Sequence, residues 1–150
     1  MRRSTIEATD ENIFNSLIED KAGRRSEVLS FCEILDGIEG NYSIFIDSPW
    51  GYGKTFFVRE VALCLKEANS ITADGDVQLP ADIGLERLEH TQLPIYYNAW
   101  ENDYRDEPVL SLIETLVEGF RELKGEERLS PDFENVAGKL LASFNIGIRE

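Results

Sequence analysis

The stretch Ser48-Pro49-Trp50-Gly51-Tyr52-Gly53-Lys54-Thr55 constrains the fold of this chain more than any other. Before it lies an apolar run, Tyr42 to Asp47, that reads as a buried strand. After it, Thr55 to Ala68 reads as a helix with Phe57, Val61, Cys64, Leu65 and Ala68 on one side. Two glycines separated by one residue let the backbone curl where side chains would obstruct it. Gly-Lys-Thr at the helix start sets a cation and a hydroxyl beside amides that have no helical partner. Strand, glycine turn, Gly-Lys-Thr and helix together predict a phosphate-binding loop. An ordinary glycine-rich turn between strand and helix is the alternative.

The usual pattern opens with glycine, whereas this one opens with Ser48 and then Pro49, which has no N–H. The phosphate-facing donors of such loops come from their later half, here Gly51, Tyr52, Gly53, Lys54, Thr55 and Phe56, none of which is proline. Ser48 and Pro49 are expected to hold the strand exit extended, because a residue before proline avoids the α region. The expected nucleotide site is thus Ser48, Pro49, Trp50, Gly51, Tyr52, Gly53, Lys54, Thr55 and Phe56. Lys54 is the expected catalytic cation on the outer phosphates, and the Thr55 hydroxyl is the expected ligand of Mg2+ accompanying ATP. Trp50 either packs against the strand exit or lines the site. No base-specific motif separates ATP from GTP.

The net charge of −14, from 29 acidic and 15 basic residues, sets this chemistry apart from nucleic-acid binding. An acidic surface repels phosphate backbones unless a basic stripe overrides it, and only the pairs Arg2-Arg3 and Arg24-Arg25 occur. A polyphosphate differs, since backbone N–H groups and one lysine hold it locally. No apolar run approaches the roughly 20 residues that span a bilayer, and the polar start shows no secretory signal, so a cytoplasmic location is expected. Cys32 and Cys64 lie far apart in no metal-ligand spacing, each on the apolar stripe of an expected helix. A core role is expected for both, with a redox or metal role as the alternative.

Along the 150 residues the periodicity predicts one compact domain. Ile13, Phe14, Leu17 and Ile18 share a helical face with Asp10 as its cap. A second helix is expected from Ser26 to Asp36, ended by Gly37. Asn69 to Gln92 reads as a polar connection, an insertion or mobile functional loop, with a short helix around Leu85 to Glu89. Leu93 to Trp100 reads as a second strand, with Trp100 anchored in the core. A long stripe from Val109 to Leu123 predicts a helix with Pro108 in its first turn and Gly125 at its end. A last helix is expected from Ser130. The fold class is accordingly α/β, an incomplete parallel sheet with flanking helices. Residues 1–40 form a helical lead-in and residues 41–150 the N-terminal part of a P-loop domain.

Hydrolysis asks for more than the loop. A P-loop ATPase needs an acidic residue at the end of another strand to hold Mg2+ through water, and a group to orient the attacking water. The second strand ends in Asn98, a candidate contact for phosphate or water, and no later strand ends in a carboxylate. Asp47 is expected to brace the loop, Glu101 and Asp103 to lie in an exposed acidic loop, and His90 to lie on the surface.

Gly23-Arg24, Trp50-Gly51-Tyr52-Gly53-Lys54-Thr55 and Asn98-Ala99-Trp100, spread over roughly 20–123, resemble the N-terminal portion of KAP-type P-loop NTPases. The resemblance implies an ATPase of the additional-strand class, related to STAND and AAA-type enzymes, some of whose bacterial members are linked to phage exclusion. It implies that the acidic Walker B strand comes from a further C-terminal portion or a partner chain. The contrasting expectation is a non-hydrolysing, nucleotide-dependent interaction module that pairs with another NTPase chain or with itself.

Overall fold

The computed structural model describes residues 7–72, 77–102 and 108–124. It divides into two compact units, Met1–Pro94 and Ile95–Glu150. In the first unit, α1 spans Asp10–Glu19, α2 Arg25–Asp36 and α3 Lys54–Thr72, followed by a 3₁₀ turn at Ala81–Ile83. The second unit contributes α4, Pro108–Lys124.

Local chemistry sets the ends of the first two helices. Thr9, one residue before the expected cap, accepts the Asn12 N–H on its hydroxyl at 3.2 Å, and Asp10 and Glu11 occupy the first turn, where the helix dipole favours acidic groups. Asp20 closes α1 in the left-handed region, φ 48°, and its carboxylate accepts the Arg25 N–H at 2.9 Å. The Arg25 side chain turns back onto the last carbonyls of α1, with Nε 2.9 Å from the Leu17 oxygen and Nη2 on that of Ile18. One carboxylate and one guanidinium thus fix how α1 leads into α2.

The core of the first unit forms where α1 and α2 lie against α3. Leu17, Val28, Cys32, Val61, Cys64, Leu65 and Ala68 are buried there together. Each fully buried aliphatic side chain contributes roughly 1.5–3 kcal/mol relative to exposure. Both cysteines take the expected core positions as free thiols. A hydrogen bond to the Cys32 thiol, together with burial and the nearby Glu60 and Glu67 carboxylates, pushes the Cys64 thiol far above the ordinary thiol range.

The connection after α3 is more ordered than its polar composition suggests. Leu79, Ile83 and Leu88 enter the same core. Glu67 of α3, itself buried, accepts the N–H of Gln78 at 2.6 Å and of Leu79 at 3.3 Å. Asp36 at the end of α2 accepts the Glu89 N–H at 2.7 Å and the His90 N–H at 3.0 Å. Asn69 pairs its amide with the backbone of Gln92. The described part of the segment is therefore a packed strap, and its one helical turn is at Ala81–Ile83 rather than 85–89.

The α/β expectation is overturned. Among the described residues there are helices and no strand, so the incomplete parallel sheet does not form. The run at 42–47 resembles a strand in composition but is unpaired and unburied: Phe45 is 91% exposed and Tyr42 70%. Strand-rich composition describes fitness for a pleated, half-buried surface, and a ladder exists only where a second segment takes up the backbone N–H and C=O groups. Neither 42–47 nor 93–98 has such a neighbour among the described residues. Trp100 is 76% exposed and not a core anchor.

In the second unit, Gly119 of α4 lies so close to Ile95 that a Cβ there would sit 2.9 Å from Ile95 Cγ2. Buried Ser111 donates its hydroxyl to the Asn102 side chain at 3.0 Å and accepts the Tyr97 hydroxyl at 3.4 Å. The apolar stripe of α4 is partly covered: Ile113 is buried, whereas Val109, Leu112 and Leu116 are exposed. The expected helix from Ser130 lies outside the described residues.

Candidate functional site

Residues 48–56 form a tight loop into the start of α3. Gly51 and Gly53 both adopt positive φ, 83° and 78°, where a side chain is strained and glycine is not. The Tyr52 N–H reaches the Pro49 carbonyl at 3.4 Å, closing the turn. The first helical bond of α3 runs from the Phe57 N–H to the Gly53 carbonyl at 3.0 Å. The amides of Gly53, Lys54, Thr55 and Phe56 precede it, so no helical carbonyl takes them up. They cluster at the positive end of a 19-residue helix.

Lys54 folds back over the loop. Its ammonium donates to the Ser48 carbonyl, to the Ser48 hydroxyl at 3.3 Å and to the Pro49 carbonyl at 3.2 Å. Ser48, which replaces the customary glycine, thus supplies two of the three oxygens that hold the lysine. Thr55 stands exposed in the first turn of α3. Trp50 and Tyr52 are 86% and 69% exposed, so the Trp50 ring lies largely open to solvent rather than packed away.

A second cation reaches the loop from outside it. Arg24, the residue before α2, donates from Nη1 to the Tyr52 carbonyl at 3.2 Å and from Nη2 to the Gly53 carbonyl at 2.9 Å. Its guanidinium carbon lies 5.9 Å from the centre of the Phe57 ring, which meets Phe31 edge-on at 5.5 Å. Periodicity gave no sign of this contact, because 28 residues separate Arg24 from Tyr52. The only pointer in the sequence was Gly23-Arg24 as a matched dipeptide.

Arg24 and Lys54 together draw four loop carbonyls aside, those of Ser48, Pro49, Tyr52 and Gly53. Carbonyl oxygens repel an anion, so tying them back leaves a face of N–H donors, a helix start and an ammonium group. That arrangement suits an oligophosphate. Lys54 brings an ammonium group and Thr55 an exposed hydroxyl to the same helix start, donor types that suit a Mg-nucleotide.

The remaining residues singled out in the sequence have other placements. Asn98 accepts the Trp100 N–H on its side chain at 3.1 Å, and its carbonyl accepts the Asn102 amide at 2.9 Å, which builds a turn. His90 is 65% exposed with Nδ1 3.3 Å from Asp36. Asp47 and Glu101 are exposed, and Asp103 lies outside the described residues. No helix among the described residues is long and apolar enough to cross a membrane.

No curated protein and no solved structure matches the chain. The family model of the KAP family P-loop domain matches residues 24–148, from the arginine that grips the loop onward. With most of its length inside that match, the chain belongs to the KAP family of P-loop NTPases, a nucleotide-binding family.

Proposed function

We propose that residues 48–56 bind Mg-ATP. The amides of Gly53, Lys54, Thr55 and Phe56 face the phosphates, joined by those of Gly51 and Tyr52 once the Tyr52 N–H leaves the Pro49 carbonyl. Lys54 moves from the Ser48 and Pro49 oxygens onto the β- and γ-phosphates, and the Thr55 hydroxyl ligates Mg2+. The metal supplies charge neutralisation across the outer phosphates when bound. Residues 1–40 act as a helical segment leading into residues 41–150, the N-terminal part of a P-loop NTPase domain. The observation that carries the reading is the pair of cations that draws the loop carbonyls aside ahead of a helix start.

Titration of Mg-ATP into the wild type and Lys54→Ala tests it. Binding by the wild type and a loss of roughly tenfold to a hundredfold in the variant are expected, the weight of one or two charge-assisted contacts. Equal affinities sink the proposal. ATP against GTP in the same titration fixes the base.

Turnover is a separate matter, since an ATPase also needs an acidic residue to hold Mg2+ through water and a group to orient the attacking water, which residues 48–56 do not supply. The exposed run Tyr42, Ile44 and Phe45 favours a second reading, a nucleotide-dependent interaction module that meets another protein or a second copy. Phosphate release by the purified chain excludes the module reading; binding without release supports it. A cytoplasmic role in phage exclusion, to which some bacterial members of the family are linked, is part of the proposal. It is tested by plating phage on cells that express the wild type or Lys54→Ala, and equal plaque counts exclude it.

A further inference from the structure

Arg24 stands at the start of α2 with its guanidinium 5.9 Å from the Phe57 ring, and its terminal nitrogens reach across to the loop. Both terminal nitrogens are engaged, on Tyr52 and Gly53, while Nε is buried with no partner. An orphaned buried donor is unfavourable, and the side chain accepts that position with its two-pronged end on the loop and its flat face near Phe57. A planar fork of this kind delivers two parallel N–H groups, which an ammonium cannot.

A peptide unit is planar and trans, so its C=O and N–H point in opposite directions. The Tyr52 carbonyl shares a unit with the Gly53 N–H, and the Gly53 carbonyl shares one with the Lys54 N–H. Fixing both carbonyls on one guanidinium turns both amides away from Arg24. These two units flank Gly53. The Gly53–Lys54 unit is held also by the Phe57 N–H on the Gly53 carbonyl, 3.0 Å, so the grip of Arg24 weighs most on the Tyr52–Gly53 unit, where Gly53 has no Cβ to restrict rotation.

We propose that Arg24 is the positioning residue of the phosphate loop: from the start of α2 it sets the two peptide planes that aim the Gly53 and Lys54 amides at a bound phosphate. The proposal rests on the nucleotide reading above, but the loop geometry it asserts is measurable without nucleotide. It also links α2 mechanically to the loop, so a movement of α2 would reach the phosphate donors through one side chain.

The test compares the wild type, Arg24→Ala and Arg24→Lys. Backbone resonances of residues 51–55 are recorded without ligand, and Mg-ATP affinity is then titrated. In Arg24→Ala the carbonyl carbons of Tyr52 and Gly53 are expected to shift and the Gly53 backbone to average over several conformers, with helical circular dichroism retained. Affinity is expected to fall about tenfold to a hundredfold, as misplacing binding groups by about an ångström does. Free guanidinium at millimolar concentration is expected to restore part of that loss in Arg24→Ala, and Arg24→Lys is expected not to restore it. A merely structural role would not yield this rescue.

Unchanged loop resonances in Arg24→Ala overturn the proposal. So do changed resonances with affinity within twofold of the wild type. If the wild type binds no nucleotide, the proposed function fails, and the loop resonances alone decide whether Arg24 sets the loop. If Arg24→Ala loses its helical signal, the same readings are taken on Arg24→Gln, whose amide serves one carbonyl and is expected to give an intermediate shift and affinity.

Discussion

The Nη2 of Arg24 lies 2.7 Å from where a Cβ on Gly53 would stand, whereas a Cβ on Gly51 would meet nothing within 4 Å. Both glycines have positive φ, so alanine at either adds backbone strain of about 1–2 kcal/mol. Only at Gly53 does alanine also displace the guanidinium. Nη2 ends a flexible side chain, so the clash is relieved by moving Arg24, at the cost of its bonds to Tyr52 and Gly53. Gly53→Ala is therefore expected to weaken Mg-ATP binding about tenfold more than Gly51→Ala, the worth of roughly 1.4 kcal/mol. In an Arg24→Ala background that gap is expected to close, and a four-variant titration cycle measures it.

Asp36 gives the first unit an acid-sensitive fastening. Burial pushes its carboxyl up, but hydrogen bonds from the Glu89 and His90 backbones, the Gln92 amide and the His90 ring outweigh this and leave it below the ordinary carboxylate range. A carboxyl whose folded value lies below its unfolded value, about 3.9, stabilises the fold above that pH. The contribution is lost as pH falls through the folded value. Asp36→Asn is thus expected to be less stable than the wild type at pH 7, with the difference shrinking below about pH 4. Urea unfolding at a series of pH values checks it; a gap that persists unchanged at pH 2 contradicts it.

Helices were legible in the sequence because their information is local. The stripes of α2, α3 and α4 and the turn glycines place those elements within a few residues of where they lie. The turn ahead of α3 was legible for the same reason: the positive φ of Gly51 and Gly53 and the helix start at Lys54 are set by the residues themselves. The strands were not, because strand formation at 42–47 depends on a neighbour that the run does not itself specify. The strap misled in the opposite sense. Leu79 and Ile83 share one helical spacing across Pro80 but Leu88 breaks it, so burial that is real in three dimensions left no sustained pattern along the chain. Arg24 was visible as a residue and invisible as a contact.

Glu67 is expected to be the hinge pin of that strap. Its carboxylate is buried and accepts two consecutive N–H groups, those of Gln78 and Leu79. Glu67→Ala leaves both donors without this acceptor and loosens the approach of Leu79 and Ile83 to the core. A loss of roughly 1.5–3 kcal/mol is expected in urea unfolding, with a smaller loss for Glu67→Gln, which keeps one acceptor oxygen. Equal stability of the wild type and Glu67→Ala would show that other contacts hold the strap.

Cys32 and Cys64 provide a reading of how tightly α2 and α3 close. Both thiols are within 1% of complete burial, and the Cys32 sulfur lies 3.8 Å from the Val61 carbonyl. The thiolate is the reactive form, and contact with the Cys32 thiol, then burial and the carboxylates of Glu60 and Glu67, keep Cys64 protonated. The Cys32 thiol is pulled below its ordinary range by the hydrogen bond with Cys64, so burial alone shields it. On that ground neither sulfur is expected to react with a maleimide in the folded protein at neutral pH, while both react once urea unfolds it. Labelling followed by mass spectrometry is expected to show unmodified and doubly modified chains at intermediate urea, with little singly modified product, because one core shields both sulfurs. Rapid modification of either cysteine in native buffer would mean that α2 separates from α3 without global unfolding. Arg24, at the start of α2, would then carry that opening to the loop carbonyls it holds.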